Sequence, residues 1–169
     1  SDIVREFPEV QGIMGGHFAS VQGFDKDIAL AISQQYLPDS LESIVPKKPF
    51  SIALAVTDKI DTLVGFFGIN EKPTSSKDPY ALRRAALGII RILIENNKEF
   101  KLKDLINYSS SLYEEQGFKF KNTSLFIDLN KFMLDRVKNY LKEKKIRLDI
   151  ADAAINSYSI NNVLKIFKK

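Results

Sequence analysis

The stretch IALAVTDKIDTLVGFF (Ile52–Phe67) decides the fold class of this chain. Within it Ile52, Val56, Ile60, Leu63, Val64 and Phe67 recur at three- and four-residue spacing, the pattern of a helix buried along one stripe. Working outward, Pro8, Pro49 and Pro79 each stand where a helix can begin, because proline costs nothing at the first helical position. Asp25–Tyr36 reads as a short helix opened by Asp25 and closed before Pro38, and Gly117 stops a further helix over Lys101–Gln116. Asn122–Lys145 reads as a long helix with Leu125, Phe126, Leu129, Met133, Val137 and Leu141 inward. Its outward row is Asp128, Lys131, Asp135, Lys138, Lys142 and Lys145, with acid-before-base pairs that suit a solvated face. Two short helices, Arg147–Ser157 and Ile160–Lys168, complete the pattern. No run alternates with period two for long enough to form a strand, so the expected class is all-α, a helical bundle. A soft boundary falls near Asn96–Lys101, where polar residues interrupt the apolar pattern; residues 1–97 and 98–169 are expected to pack separately.

With 169 residues the chain is one ordinary domain or two small helical ones. The longest apolar run, around Ala85–Ile94, is broken by Arg91, and no run reaches the ~18 residues that span a bilayer. Nothing resembles a secretory signal, and no membrane partner is expected. The absence of cysteine excludes disulfides and thiolate metal sites and fits a reducing, cytoplasmic setting. The chain opens on Ser1 and runs straight into an amphipathic pattern, so it is expected to be a piece of a longer polypeptide. Charge is uneven: residues 1–120 carry 14 Lys and Arg against 16 Asp and Glu, whereas residues 121–169 carry 11 against 5. A basic surplus confined to the last third suits a polyanion such as RNA, and equally a solvated lysine-rich helix face.

Few residues here carry reactive chemistry. His17 is the single histidine, and no G-x-S-x-G elbow or cysteine accompanies it, so no nucleophilic triad is expected. One histidine without cysteine does not supply a zinc site either. Asp58 and Asp61 lie three apart on a strong helix and share a face, which admits a metal-binding or acid–base pair. Against that stands the structural reading, in which they pair with arginine. On the helix expected from Pro79, Arg84, Gly88, Arg91 and Glu95 form a polar row, while Arg83 falls among Leu87, Ile90 and Ile94. A buried guanidinium must be paired, so Asp58, Asp61 or Asp78 is expected to satisfy Arg83. Gly12, Gly15, Gly16 and Gly23 match neither a Walker loop nor a dinucleotide fingerprint. Close helix packing at small residues followed by a helix stop accounts for them more simply than an anion nest. Between two helices, Pro73–Tyr80 reads as a loop in which Ser76 or Asp78 caps the next helix and Lys77 is left exposed.

Three longer strings carry a resemblance: EFPEVQGIMGG (Glu6–Gly16), DKIDTLVGFFGI (Asp58–Ile69) and PTSSKDPYALRRAALGIIRILIE (Pro73–Glu95). With the weaker tail from FIDLNKFMLDRVKNYL (Phe126–Leu141) onward, they resemble the β subunit of bacterial α2β2-type glycyl-tRNA synthetases over nearly the whole chain. Ser75 departs from that family, which usually has glycine there. The resemblance implies that the intact enzyme joins glycine to its tRNA with ATP and Mg²⁺, and that adenylate chemistry belongs to a separate α subunit. It implies partners in that α subunit, in tRNA for glycine and in the remaining domains of the β subunit. It further implies that residues 1–97 are the later part of an HD-like helical domain and residues 98–169 the helices leading toward an anticodon-binding domain. ALAVTDKIDTL (Ala53–Leu63) is similar to the last conserved helix of HD-domain phosphohydrolases, in which the residue at the position of Asp58 is a metal ligand. That family also needs a His-Asp dyad, and no His-Asp pair occurs here, so neither a metal nor a catalytic residue is expected in this piece.

Three functions follow as expectations. The first is a tRNA-contacting, assembly-supporting part of a synthetase, with Lys77, Arg84, Lys142, Lys144, Lys145, Lys165, Lys168 and Lys169 as the basic groups. The second is a degenerate HD-type metal-dependent phosphohydrolase, and the third a helical docking module without RNA contact.

Overall fold

The computed structural model describes residues 2–98 and 101–145. The expected helices Arg147–Ser157 and Ile160–Lys168 lie outside them, as do Lys165, Lys168 and Lys169. Among the described residues every regular element is helical: α1 (Asp2–Glu6), a 3-10 turn at Pro8–Val10, α2 (Ile13–Val21), α3 (Lys26–Gln34), α4 (Pro49–Gly68), α5 (Leu82–Glu95), α6 (Leu102–Glu115) and α7 (Leu125–Glu143). The chain is all-α. Its packing forms two compact units, Ser1–Asp58 and Lys59–Lys169, divided within α4. The helices α5 and α7, which flank the expected boundary near Asn96–Lys101, pack against each other inside the second unit.

In the first unit α2 and α3 pack through small residues. A Cβ on Gly16 would lie 2.7 Å from both the Ala29 carbonyl oxygen and the Ser33 Cβ, so only a hydrogen fits in the contact. Asp25 caps α3 by accepting the Asp27 N–H at 2.7 Å. Gly23, at φ 82°, follows the end of α2. These glycines therefore serve packing and helix termination.

The second unit has a core of large side chains. Ile60, Leu63, Val64 and Phe67 of α4 are buried there; Ile52 and Val56, on the part of α4 that belongs to the first unit, are buried as well. Leu82, Ala86, Ile89, Ile90, Ile92 and Leu93 of α5 and Leu129, Met133, Val137 and Leu141 of α7 are buried too. At its C-terminal end α4 has carbonyls that no helical N–H can reach. The Gly68 carbonyl accepts from the N–H groups of Lys121 (2.9 Å) and Asn122 (3.0 Å). The Asn122 side-chain amide donates to the Phe67 carbonyl at 3.1 Å and to Asp128 Oδ2 at 3.0 Å, while its oxygen accepts the Ser124 N–H at 2.9 Å. Asn122, 8 % exposed, thus joins the end of α4 to the start of α7. Lys72 closes the same corner with a 2.7 Å bond to Asp128.

Helix α5 departs from its expected course. It begins at Leu82, and Pro79 and Tyr80 belong to the preceding turn. Ala81 at φ 54° breaks the helical path there, so Pro79 does not occupy the first helical position. The expected polar row also divides: Arg84 and Glu95 are exposed, while Gly88 and Arg91 are buried. Arg91, only 6 % exposed, is tolerated because its Nε donates to Glu95 Oε1 at 2.8 Å. Arg83, expected on the buried side, is half-buried.

Candidate nucleic-acid interface

The turn before α5 is built by short-range polar bonds. Thr74 N–H donates to the Lys77 carbonyl at 2.9 Å, and Lys77 N–H returns to Thr74 Oγ1 at 3.2 Å. Asp78 accepts the first free amides of the helix, from Leu82 at 2.8 Å (Oδ1) and from Arg83 at 2.9 Å (Oδ2). Its negative charge also suits the positive end of the helix dipole. The Arg83 guanidinium then folds back: Nη2 donates to the Thr74 carbonyl, and Nη1 lies 3.9 Å from Asp78 Oδ2. Of the three carboxylates weighed for Arg83, Asp78 stands beside it, while Asp61 accepts the Tyr113 hydroxyl at 3.1 Å. Asp58 is half-buried on α4. The turn is thereby pinned to α5, and Lys77 is exposed upon it.

Where α5 meets α7, a depression of about 130 Å³ is lined by Arg83, Arg84 and Leu87 from one helix and Arg136, Asn139, Tyr140 and Glu143 from the other. Arg84 is exposed at this rim. Arg136 is held in place on two sides. Its guanidinium carbon lies 5.7 Å from the centre of the Phe132 ring. With the Asn139 amide turned so that its oxygen faces the guanidinium, that oxygen accepts at 2.9 Å and 3.2 Å. Arg136 Nε is buried and has no hydrogen-bond partner among the described residues. The Lys144 ammonium stands 5.7 Å over the Tyr140 ring. Burial, with Glu95 adding to it, pushes the Tyr140 phenol above its ordinary range and keeps it neutral. Glu143 is the one carboxylate among the lining residues, against three arginines. Chemically this is a set of hydrogen-bond donors with a cationic excess, suited to phosphate oxygens.

The sequence-predicted basic residues are thus only partly gathered. Arg84 lines the depression, Lys144 adjoins it through Tyr140, and Lys77 sits on the turn that Arg83 fastens to it. Lys142 and Lys145 are exposed at the same end of α7 but do not line it. Sequence reasoning passed over Arg136, whose placement beside Phe132 and Tyr140 on successive turns was the available signal. His17 is exposed on α2. Among the described residues no three of His, Cys, Asp and Glu stand close enough to share a metal ion. No helix among them is long and apolar enough to cross a membrane.

Comparison with known proteins bears on residues well beyond this rim. The profile of the glycyl-tRNA synthetase beta subunit family matches residues 1–156. The glycine–tRNA ligase beta subunit of Rhodospirillum centenum is 42 % identical over 167 residues, which is 99 % of this chain. Its counterpart in Ruegeria sp. is 41 % identical over 169 residues. That of Rickettsia canadensis is 49 % identical over 142 residues, or 84 % of the chain. The chain spans 23 % of the length of the first two relatives and 20 % of the third. A profile match across nearly the full sequence, joined to identities of this size, leaves one assignment: the chain belongs to the glycyl-tRNA synthetase beta subunit family.

Proposed function

We propose that this chain is a non-catalytic, tRNA-contacting part of a glycyl-tRNA synthetase β subunit, supporting the ATP-dependent attachment of glycine to its tRNA. The observation that carries this reading is the rim where Arg83, Arg84 and Arg136 converge, with the Lys77 turn fastened beside them. Guanidinium and ammonium groups of this kind hold a nucleic-acid backbone and read little of its sequence. Lys142, Lys144 and Lys145 at the end of α7 extend the same cationic surface, and Lys165, Lys168 and Lys169 are assigned to it from sequence. In this reading residues 1–97 are the later part of an HD-like domain, and residues 98–169 lead toward an anticodon-binding domain. The α subunit and the rest of the β subunit are the protein partners, the setting is cytoplasmic, and ATP and Mg²⁺ are requirements of the whole enzyme. No residue of this chain is assigned to hold either.

A gel-shift of the chain with tRNA for glycine across a salt series tests the proposal. Binding at low salt that weakens steeply as salt rises is the expected result. No shift at the lowest salt contradicts it and favours a purely docking role, which co-purification with the α subunit without tRNA then measures.

A further inference from the structure

A second cavity, of about 310 Å³, opens between α4, α6 and the segment that follows α6. It lies at the lower end of the range of small-molecule pockets, ~300–1,000 Å³. Its walls are rings: Phe66, Tyr113, Phe118 and Phe120. These rings are fixed by one another. Phe66 stacks on Tyr80 with centroids 3.9 Å apart, and Tyr113 meets Phe118 and Phe120 edge-on at 5.6 and 5.7 Å. Phe118 is nonetheless 55 % exposed, which offers a held aromatic face to a planar guest.

Two polar groups of opposite sign complete the lining, Asp61 and Lys119. The Tyr113 hydroxyl donates to Asp61 Oδ2 at 3.1 Å and lies 3.3 Å from the Asp61 carbonyl. Burial, then the Asp61 charge, pushes the Tyr113 phenol up to about 12, so it stays a donor at neutral pH. Asp61 accepts one bond from Tyr113 and has further carboxyl lone pairs to accept another donor. The guest that fits has a flat ring to stack, an amine to donate to Asp61 and an anion for Lys119.

We propose that this pocket binds a nucleobase bearing an exocyclic amine, carried on a phosphorylated ribose. Stacking on Phe118 is indifferent to the base, whereas Asp61 is not. Adenine and cytosine turn an exocyclic N–H toward an accepting carboxylate, and guanine its N1–H and N2–H, whereas uracil offers a single ring N3–H flanked by two carbonyl oxygens that the carboxylate repels. The same chemistry comes from a free nucleotide or from an unpaired nucleotide of an RNA. The inference stands apart from the basic rim, which Arg84 and Arg136 line and this cavity does not share.

Titration of the chain with AMP, CMP and UMP, followed by NMR of its aromatic side chains, tests it. Saturable binding of AMP and CMP is expected, with UMP weaker by about fivefold or more. Phe118→Ala weakens AMP by about tenfold. Lys119→Ala weakens AMP but leaves adenosine unchanged. Asp61→Asn, which introduces an amide donor, shifts preference from CMP toward UMP. Because Asp61 is exposed, that variant keeps the test sound should Phe118→Ala disturb the fold. Binding of AMP but not of a CAC trinucleotide identifies a free nucleotide as the guest, and the reverse identifies RNA. No saturable binding of any mononucleotide or trinucleotide overturns the proposal. So does equal affinity for CMP and UMP, or binding that Phe118→Ala and Asp61→Asn both leave unaltered. Gel-shifts of Lys77 and Arg84 variants report on the rim alone, so the two readings fail separately.

Discussion

Two neighbouring helix ends in the second unit are finished in opposite ways. At the C-terminal end of α4 the capping donors are neutral amides: the Lys121 and Asn122 main chain on Gly68, and the buried Asn122 side chain on Phe67. At the N-terminal end of α5 the partners are charged and near solvent: the Asp78 carboxylate on two amides, with Arg83 folded back onto the turn. Both ends satisfy orphan backbone groups. Only the second is capped by a carboxylate with a guanidinium folded back onto its turn. The first end is therefore expected to govern stability with little dependence on salt, and the second to govern binding with strong dependence on it.

The largest expected effect breaks the buried end. Asn122→Ala removes the amide bonds to the Phe67 carbonyl and to Asp128 and the acceptor of the Ser124 N–H, three bonds in all, costing about 3 kcal/mol in denaturant unfolding. Gly68→Ala comes next. A Cβ there would lie 2.0 Å from the Phe120 ring, so the ring must shift, at a cost of about 2 kcal/mol. At the charged end, Asp78→Ala removes the cap of α5 and lowers stability by about 1 kcal/mol, with a larger loss of order in the Lys77 turn that amide exchange detects. The smallest effect is one of pH. Hydrogen bonds from Lys72 and then Asn122 hold the Asp128 carboxyl below the usual carboxylate range. Its contribution is fully present above the unfolded value of ~3.9 and is lost as pH falls through the lower folded value. Asp128→Asn should lower stability slightly at neutral pH, converge on the unsubstituted chain at acid pH, and so flatten that part of the acid unfolding curve.

The same contrast explains what the sequence made legible. The α4 stripe from Ile52 to Phe67 could be read directly because every member is apolar and its period is helical. In α5 the pattern misled, because arginine is placed by its partner and not by hydropathy. Arg91 sits inside with Glu95, and Arg83 leaves the buried side to meet Thr74 and Asp78. Asp78 could be named as a cap from its position four residues before Leu82, yet the left-handed turn at Ala81 that delays the helix has no local signal. Contacts across distance were hidden altogether. Nothing near Phe67 in sequence announces Asn122, and nothing near Asp61 announces Tyr113. For the candidate interface, exposure of Lys77 and Arg84 was legible from their surroundings, whereas the convergence of Arg84 with Arg136 depends on how α5 crosses α7.

Under the proposed function, the charged end of α5 contacts tRNA through its backbone phosphates. The most direct test is the slope of log affinity against log salt for tRNA binding, compared between the chain and a Lys77→Ala/Arg84→Ala variant. If both side chains meet phosphates, the variant binds more weakly and its slope is shallower by about 1 to 2. An unchanged slope and affinity in a variant that folds normally would contradict the claim.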